Sequence, residues 1–250
     1  MTKVLKIGGS ILTDKTVGLT ARPAAIRAVA EEIAAYPEDL VLVHGAGSFG
    51  HIPAKKYGLP QNFCPEGLRV THNSVAKLND LVVEALARAG VSPMPVHPFS
   101  CLLLRDGRID KFSLEPIKEM LRDGLMPVLH GDVAMDATLK SGIVSGDQLV
   151  PYIAKNLQAK GVAIGSNVDG VLFSGKPLAE ISRQALSSMD SSLGGSAGVD
   201  VTGGMKGKIM ELLDLADWGI DSVIFNAAKE GNIGRAIMGE HVGTRVRRSN

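Results

Sequence analysis

Short apolar runs that end in glycine, separated by helical patterns, constrain this chain more than any other feature. Val4–Ile7 leads directly into Gly8-Gly9-Ser10, and Leu40–Val43 leads into the glycine-rich segment His44–His51. Runs of this length bounded by glycine indicate buried strands. Between them, apolar residues recur at the i, i+3, i+4 and i+7 spacing of an amphipathic helix, at Ile26, Val29, Ala30 and Ile33. This alternation predicts an α/β fold with a mainly parallel sheet covered on both faces.

The same alternation continues to the C-terminus. We predict further strands at 93–97, 127–130, 162–164 and 223–225, and further helices over 78–89, over 116–121, from Asp147 and over 209–216. Residues 102–109 read as a hairpin with an Asp-Gly turn. Thr244–Val246 is predicted as a last edge strand, and the serine- and glycine-rich stretch 187–198 as a mobile loop beside a site. Since no long polar linker divides the chain, residues 1–250 are expected to form a single domain.

Composition argues against several classes of protein. The net charge is only +1 and aromatic residues make up 4% of the chain, so no nucleic-acid partner is expected. No apolar run approaches the roughly 20 residues of a membrane span. Because the first predicted strand begins within three residues of Met1, no signal peptide is expected. Two cysteines build no disulfide framework, and six scattered histidines show no metal-ligand spacing. We therefore expect a cytoplasmic protein with no membrane contact and no metal-ligating residues.

The segment His44–His51 spells G-x-G-x-x-G, the pattern of dinucleotide-binding loops. That function also needs an acidic residue about 20 positions on, at the end of the next strand. Glu66 has roughly this spacing but lies in a turn-rich stretch, so a dinucleotide site is not favoured. Backbone N–H groups of such a loop, at the start of a helix, instead suit an anion, and His51 adds an imidazole beside it. The alternative is a glycine-rich turn packed on the sheet, with His51 merely capping a helix.

Four glycine-bearing segments fall at strand or helix ends: 6–10, 44–51, 145–147 and 202–208. Lysines accompany them, at positions 6, 15, 206 and 208. Loops that meet at one edge of a parallel sheet with several cations indicate a nucleoside triphosphate beside a second anion. The chain contains neither the P-loop motif nor the protein-kinase motifs. Lys6 lies inside an apolar strand, where an unused charge is costly, whereas Lys15 could be an exposed loop residue and Asp147 could simply cap its helix.

These segments resemble the amino acid kinase superfamily over essentially the whole chain. The resemblance rests on Lys6–Ser10, Ser145–Asp147, Asn167–Gly170 and Thr202–Met205, which occur in order. Within the superfamily, His44–His51 together with Ile11–Lys15 is similar to the isopentenyl phosphate kinases of an alternative mevalonate route. The resemblance implies a three-layer α/β/α sandwich, usually paired as a homodimer. It also implies that Mg²⁺ and ATP are used to phosphorylate isopentenyl phosphate to isopentenyl diphosphate.

The resemblance also implies roles for individual residues. ATP phosphates would be bound by Lys6, Gly8, Gly9, Ser10 and Gly47, and further nucleotide contacts would come from Asp169, Gly170, Gly204 and Lys208. Lys15 would stabilise the transferring group, and Asp147 would orient the lysines. The acceptor phosphate would be held by His51, with Ala46, Gly47, Gly50 and Gly146 beside it. The N-terminal part would thus bind the acceptor and the C-terminal part the nucleotide. Asn167 stands where relatives commonly carry aspartate, and the segment 174–198 is short of its usual proline-containing stretch.

A phosphate acceptor makes chemical sense of the histidine. A phosphate monoester has a second pKa of about 6, so it is already a nucleophilic dianion at neutral pH and requires no general base. We therefore interpret His51 as a hydrogen-bond donor. Candidates to line the pocket of an apolar tail are Ile52, Ala54, Tyr57, Leu59, Val75, Leu78 and Ile143. Three alternatives stay open: a carboxylate kinase of the acetylglutamate type, a phosphonate kinase of the fosfomycin type, and a non-enzymatic nucleotide-binding protein of the same fold.

Overall fold

The computed structural model describes residues 2–14, 16–36, 39–173, 175–192 and 203–248, with the backbone alone at 188–192 and 203–204. Lys15 and residues 193–198 of the predicted mobile loop lie outside the described residues. The remainder of that prediction is wrong, because residues 187–192 continue a helix that begins at Arg183. Within the described part of the chain, no helix is both long and apolar enough to cross a membrane.

The centre of the fold is an eight-stranded sheet with the strand order β14-β16-β15-β11-β1-β4-β8-β5. In chain order these strands are β1 (Lys3–Ile7), β4 (Leu40–His44), β5 (Pro93–Pro95), β8 (Met126–His130), β11 (Val162–Ser166), β14 (Glu180–Ile181), β15 (Ser222–Asn226) and β16 (Thr244–Val246). Six of the seven neighbouring pairs are parallel, and only β15 and β16 run antiparallel. The expectation of a mainly parallel sheet is therefore confirmed.

The predicted edge position of Thr244–Val246 is wrong. Strand β16 lies between β15 and the two-residue strand β14, with Glu180 paired to Arg245 and Ile181 to Val246. The edge strand is thus Glu180–Ile181. Two residues are too few to show the alternation of apolar and polar residues by which a strand is recognised in a sequence.

Helices cover both faces of the sheet, which makes the three-layer sandwich. They are α1 (Gly9–Leu12), α2 (Pro23–Ala34), α3 (Gly47–Lys56), α4 (Pro65–Arg88), α5 (Pro98–Cys101), α6 (Glu115–Arg122), α7 (Gly146–Asn156), α8 (Arg183–Ser192), α9 (Gly203–Asp217) and α10 (Asn232–Met238). Successive residues of β1 face opposite cores. Val4 packs into the core that holds α7 and α9, and Leu5 into the core that holds α2, α4 and α10. The predicted helical stripe of α9 is buried in the first of these cores, as Ile209 and Leu213 show.

A second sheet of four strands flanks a cavity at the carboxyl ends of the central strands. Its order is β10-β9-β6-β7, formed by β6 (Leu102–Arg105), β7 (Arg108–Phe112), β9 (Asp132–Asp136) and β10 (Lys140–Val144). The predicted hairpin is present, because Asp106 and Gly107 both take positive φ angles, 51° and 76°, in the turn between β6 and β7. Two small ladders complete the described strands, β2 (Thr13–Asp14) with β3 (Thr20–Ala21) and β12 (Leu172–Phe173) with β13 (Lys176–Pro177).

Candidate active site

Four neighbouring parallel strands, β1, β4, β8 and β11, deliver their carboxyl ends to one cavity of about 500 Å³. Ligands of open α/β sheets bind at this end of the strands. The residues after β1 and β4 and the start of α7 form much of its wall, and α9 adds Met205 and Lys208. Eleven of the residues singled out from the sequence line it: Lys6, Gly8, Gly9, Ser10, Ala46, Gly47, Gly50, His51, Gly146, Asp147 and Lys208.

Two helix N-termini open into the cavity from opposite loops. Helix α3 begins at Gly47, after β4, and α7 begins at Gly146. Their backbone nitrogens converge, since a Cβ atom built on Gly131 would lie 3.6 Å from both Ala46 N and Gly146 N. Backbone N–H groups at two helix starts, each carrying the positive end of a helix dipole, create a site for an anion. His51 lies on α3 and contributes an exposed imidazole to the same cavity.

The glycines of the two loops are required by backbone packing as well. A Cβ on Gly9 would lie 2.6 Å from Gly47 Cα, and a Cβ on Gly45 would lie 2.5 Å from Gly9 N. The loop after β1 therefore touches the loop after β4 with no side chain between them. Thr13 fastens this contact, because its Oγ1 donates to Gly9 O at 2.8 Å and accepts from Ser48 N at 3.1 Å. The alternative of a tightly packed turn thus explains part of the glycine pattern.

Three charged side chains meet at the other side of the cavity. Asp147 Oδ1 lies 2.6 Å from Lys6 Nζ and 3.1 Å from Lys208 Nζ, so one carboxylate holds two lysines. Burial opposes the charge of Asp147, but the two lysines outweigh it and hold the pKa of this carboxyl below its ordinary value. Ser145 caps α7 with its hydroxyl, which accepts from Gln148 N at 3.3 Å. The cap is therefore not Asp147, whose carboxylate serves the lysines.

Lys6 lies in an apolar strand, which predicts that it is buried, and only 6% of its surface is exposed. Burial lowers its pKa to about 8, Asp147 counteracts this, and Lys208 adds to it. The side chain passes close over Gly146, where a Cβ would lie 2.9 Å from Lys6 Cε. The structure also separates two lysines that the sequence leaves equivalent. Lys208 reaches the cavity, whereas Lys206 is exposed and is not part of the cavity wall.

Two residues expected on the nucleotide side, Asp169 and Gly170, lie outside the cavity wall. Asp169 forms an ion pair with Lys229 at 2.8 Å and accepts from Asn226 Nδ2 at 2.9 Å. Gly170 has a φ of +144° and backs onto β16, where its Cβ would lie 3.1 Å from Thr244 N. This packing against Thr244 is enough to explain why residue 170 is glycine, and no bound ligand is needed for the explanation. Gly204 belongs to the first turn of α9, and Asn167 does line the cavity.

Of the seven candidates for an apolar pocket, three line the cavity: Ala54, Val75 and Ile143. Leu78 belongs to the core beneath the sheet instead, because it sits one turn further along α4 from Val75. Gly45 of the predicted anion-binding loop also lines the cavity, and sequence reasoning missed Gly131, Asp132 and Val133, which form part of the same wall. The strand–glycine pattern of Met126–Gly131 was the available signal for them, since it repeats the arrangement after β1 and β4.

The chain is similar to known proteins over nearly its whole length. The model of the amino acid kinase family matches residues 1–226. The chain is 39% identical to the isopentenyl phosphate kinase of Methanothermobacter thermautotrophicus, over 97% of this chain and 98% of the relative. It is also 39% identical to the isopentenyl phosphate kinase of Haloferax volcanii, over 98% of each. A crystal structure of an isopentenyl phosphate kinase is similar with a TM-score of 0.84 at 34% identity, over 98% of this chain and 100% of that one.

Proposed function

From the premise that the chain belongs to the amino acid kinase family, and within it to the isopentenyl phosphate kinases, we propose that it phosphorylates isopentenyl phosphate with ATP. The product would be isopentenyl diphosphate. One observation carries the proposal on the structural side: two helix N-termini, two lysines and a histidine surround a single cavity. Such a set can neutralise two phosphate groups brought together for transfer.

The structure supports a division of the cavity between donor and acceptor. Lys6, Lys208, Gly8, Gly9 and Ser10 would bind the ATP phosphates, with Asp147 holding both lysines in place. Ala46, Gly47, Gly50, Gly146 and His51 would surround the acceptor phosphate. Gly47 serves both because it lies where the two loops touch. The roles of Lys15, Asp169, Gly170 and Gly204 toward the nucleotide remain predictions from the family resemblance.

The carboxylates of the cavity favour an acceptor that needs no general base. Two described carboxylates line it, and each is held by a cation or an imidazole, Asp147 by Lys6 and Asp132 by His72. A hydroxyl acceptor would need a carboxylate ready to take a proton. A phosphate dianion needs only compensation of its charge, which the helix N-termini and His51 supply.

Mg²⁺ fits this site as a partner of the nucleotide. Among the described residues, no group of three or more His, Cys, Asp or Glu side chains could hold a metal ion. Mg²⁺ commonly keeps its waters and binds substrate phosphates, with few protein ligands. We propose that it is carried by the ATP phosphates, where it would neutralise charge beside Lys6 and Lys208. A homodimer and a cytoplasmic location remain predictions.

A direct comparison of acceptors tests the proposal. We expect ADP release with isopentenyl phosphate to exceed release with fosfomycin or N-acetylglutamate by several orders of magnitude in kcat/KM. Fosfomycin is the stringent comparison, because a phosphonate offers the same charge to His51. A preference for either alternative acceptor would refute the proposed function, and ATP binding without any turnover would favour a nucleotide-binding protein.

His51 provides the first mutational prediction. If its imidazole donates to the acceptor phosphate, His51→Gln should keep activity within about tenfold of wild type because an amide donor remains within reach. His51→Ala and His51→Asn should lose about ten- to a hundredfold, the effect of a missing hydrogen bond to a charged group. Steady-state kinetics with isopentenyl phosphate varied would measure this. Near-wild-type rates for all three variants would contradict the donor role.

The lowered pKa of Lys6 provides a second prediction, on pH dependence. The charged lysine is the form that binds phosphate, and in the free enzyme it loses its proton around a pKa of about 8. We therefore expect kcat/KM for ATP to fall as the pH rises through 8. The decline of kcat should start at higher pH, because bound phosphates favour the charged lysine. A kcat/KM profile that stays flat across this range would contradict the assignment, and Lys206→Met should keep the wild-type profile.

A further inference from the structure

Four of the six histidines converge behind the acceptor side of the cavity, although they are scattered in the sequence. His44 and His130 end the neighbouring strands β4 and β8, His97 precedes α5, and His72 lies on α4. The ring centroids of His97 and His130 are 5.2 Å apart, and those of His44 and His130 are 5.7 Å apart. Two of them approach the carboxylate of Asp132, with His72 Nδ1 at 2.9 Å and His130 Nδ1 at 3.8 Å from its Oδ2, and the described residues offer no metal site there. We call these four side chains the histidine cluster.

Two members of the histidine cluster contribute no charge. His44 and His130 are fully buried, and burial lowers the pKa of both, that of His130 well below its ordinary value. His130 Nδ1 faces Gly131 O at 3.1 Å and must donate to it, so its Nε2 accepts from His97 Nδ1 at 3.0 Å. His44 Nδ1 likewise faces Gly45 O at 3.2 Å, and its Nε2 lies 3.0 Å from Asn79 Oδ1. Because burial disfavours the charged form of both rings, both imidazoles are neutral links at the ends of their strands.

Asp132 is the charge that these neutral groups leave uncompensated. Its side chain is completely buried, and it accepts from Val133 N at 2.9 Å and Phe99 N at 3.4 Å. His72 Nδ1 lies 2.9 Å from its Oδ2. The hydrogen bond to Asp132 raises the pKa of His72 against the opposing effect of partial burial. His72 is thus the counter-ion of a carboxylate that would otherwise be buried alone.

This pair lies directly behind the wall that faces the acceptor. Asp132 lines the cavity with its neighbours Gly131 and Val133, and His72 is flanked on α4 by the lining residues Thr71 and Val75. A dianionic acceptor in the cavity would be repelled by a negative charge in this wall. The repulsion is cancelled while His72 carries a proton. The other titratable groups facing the pair are His97 and Cys101 beside α5 and His130 on β8, with His44 behind His130. Burial raises the pKa of the Cys101 thiol to about 11, so this group stays neutral.

We propose that His72 is a positioning residue for the acceptor, which it serves by holding and neutralising the Asp132 carboxylate in the cavity wall. The inference rests on the proposed function, because it assumes an acceptor that carries a phosphate group. His72 itself touches neither substrate. It acts through Asp132, and its contribution is confined to the acceptor and leaves ATP binding unchanged.

The test is a charge-rescue cycle with His72→Gln, Asp132→Asn and the double variant. His72→Gln keeps a donor but removes the positive charge, so the KM for isopentenyl phosphate should rise about tenfold while the KM for ATP is unchanged. Asp132→Asn removes the negative charge that needs compensation, so adding it to His72→Gln should return the acceptor KM to within a few-fold of wild type. His241→Gln, an exposed histidine outside the cluster, is the matched control and should behave as wild type.

The pH dependence gives an independent readout. His72 is charged below its raised pKa, so in wild type the acceptor KM should increase as the pH rises above the ordinary histidine range. The Asp132→Asn variant should lack this increase. The acceptor phosphate titrates equally in both assays, so the difference between wild type and Asp132→Asn reports the effect of His72 alone. An unchanged acceptor KM in His72→Gln, or a raised KM that Asp132→Asn fails to rescue, would overturn the inference alone. Absence of isopentenyl phosphate turnover by the wild type would overturn the proposed function and the inference with it.

Discussion

Lys6→Met is expected to lower kcat by about a hundred- to a thousandfold, the loss seen when one preorganised donor to a developing charge is removed. The lysine is buried in β1 with its Nζ fixed 2.6 Å from Asp147, so its position costs no reorganisation when phosphates arrive. Methionine fills similar space in the apolar strand. Asp147 is partly exposed and keeps its ion pair with Lys208, so no buried charge is left alone and the fold should be retained. Steady-state kinetics together with a thermal melt would measure both effects.

The control for this substitution is Lys206→Met. Lys206 lies on the same helix as Lys208 but is exposed, and it should be replaceable with little change in rate. Lys208→Met should fall between the two, since Asp147 would keep Lys6 in place. If Lys6→Met retained kcat within tenfold of wild type while melting normally, the assignment of Lys6 to the transferring phosphates would be wrong.

Gly9→Ala is expected to destabilise the protein by about 3 kcal/mol or more, because the new Cβ meets backbone and no flexible side chain can yield. The clash is with Gly47, whose Cα would lie 2.6 Å away. For a chain of this size, such a loss lowers Tm by roughly 6–12 °C. Differential scanning calorimetry would measure it.

Gly207→Ala is the matched glycine substitution. Gly207 lies inside α9, and a Cβ there would have no atom within 4 Å. Alanine should therefore raise the stability by up to about 1 kcal/mol through helix propensity. A Gly9→Ala protein that melts with the wild type would show that the two loops can separate at little cost.

Sequence alone predicts the parts of the fold that periodicity encodes. The strands that become β1, β4, β8 and β11 carry enough apolar residues to be recognised, and their order along the chain places their glycine-rich ends at one edge. Lys6 stands out because a charge inside such a strand is costly. Its partner Asp147 was found through the Ser-Gly-Asp motif, and the structure brings the two together although 141 positions separate them.

Features that depend on contacts between distant segments could not be predicted. The four histidines of the cluster come from two strands, one helix and the segment before α5, so no spacing in the chain signals that they meet. Strand β14 has only two residues, so the sequence gives no sign of it. Because β14 pairs with β16, the prediction of β16 as an edge strand was wrong. The choice between Lys206 and Lys208 depends on where α9 begins, because a shift of two positions turns a side chain by about 200° around a helix.

The meeting of Gly9 with Gly47 bears on how this scaffold can be modified. Since main chain touches main chain there, the separation between the loop after β1 and the loop after β4 is set by the backbone and is insulated from most side-chain replacements. Ala54, Val75 and Ile143 line the same cavity but take no part in this backbone contact. Substitutions of these apolar residues should therefore change the shape of the cavity and leave the relative placement of the two reacting groups unchanged.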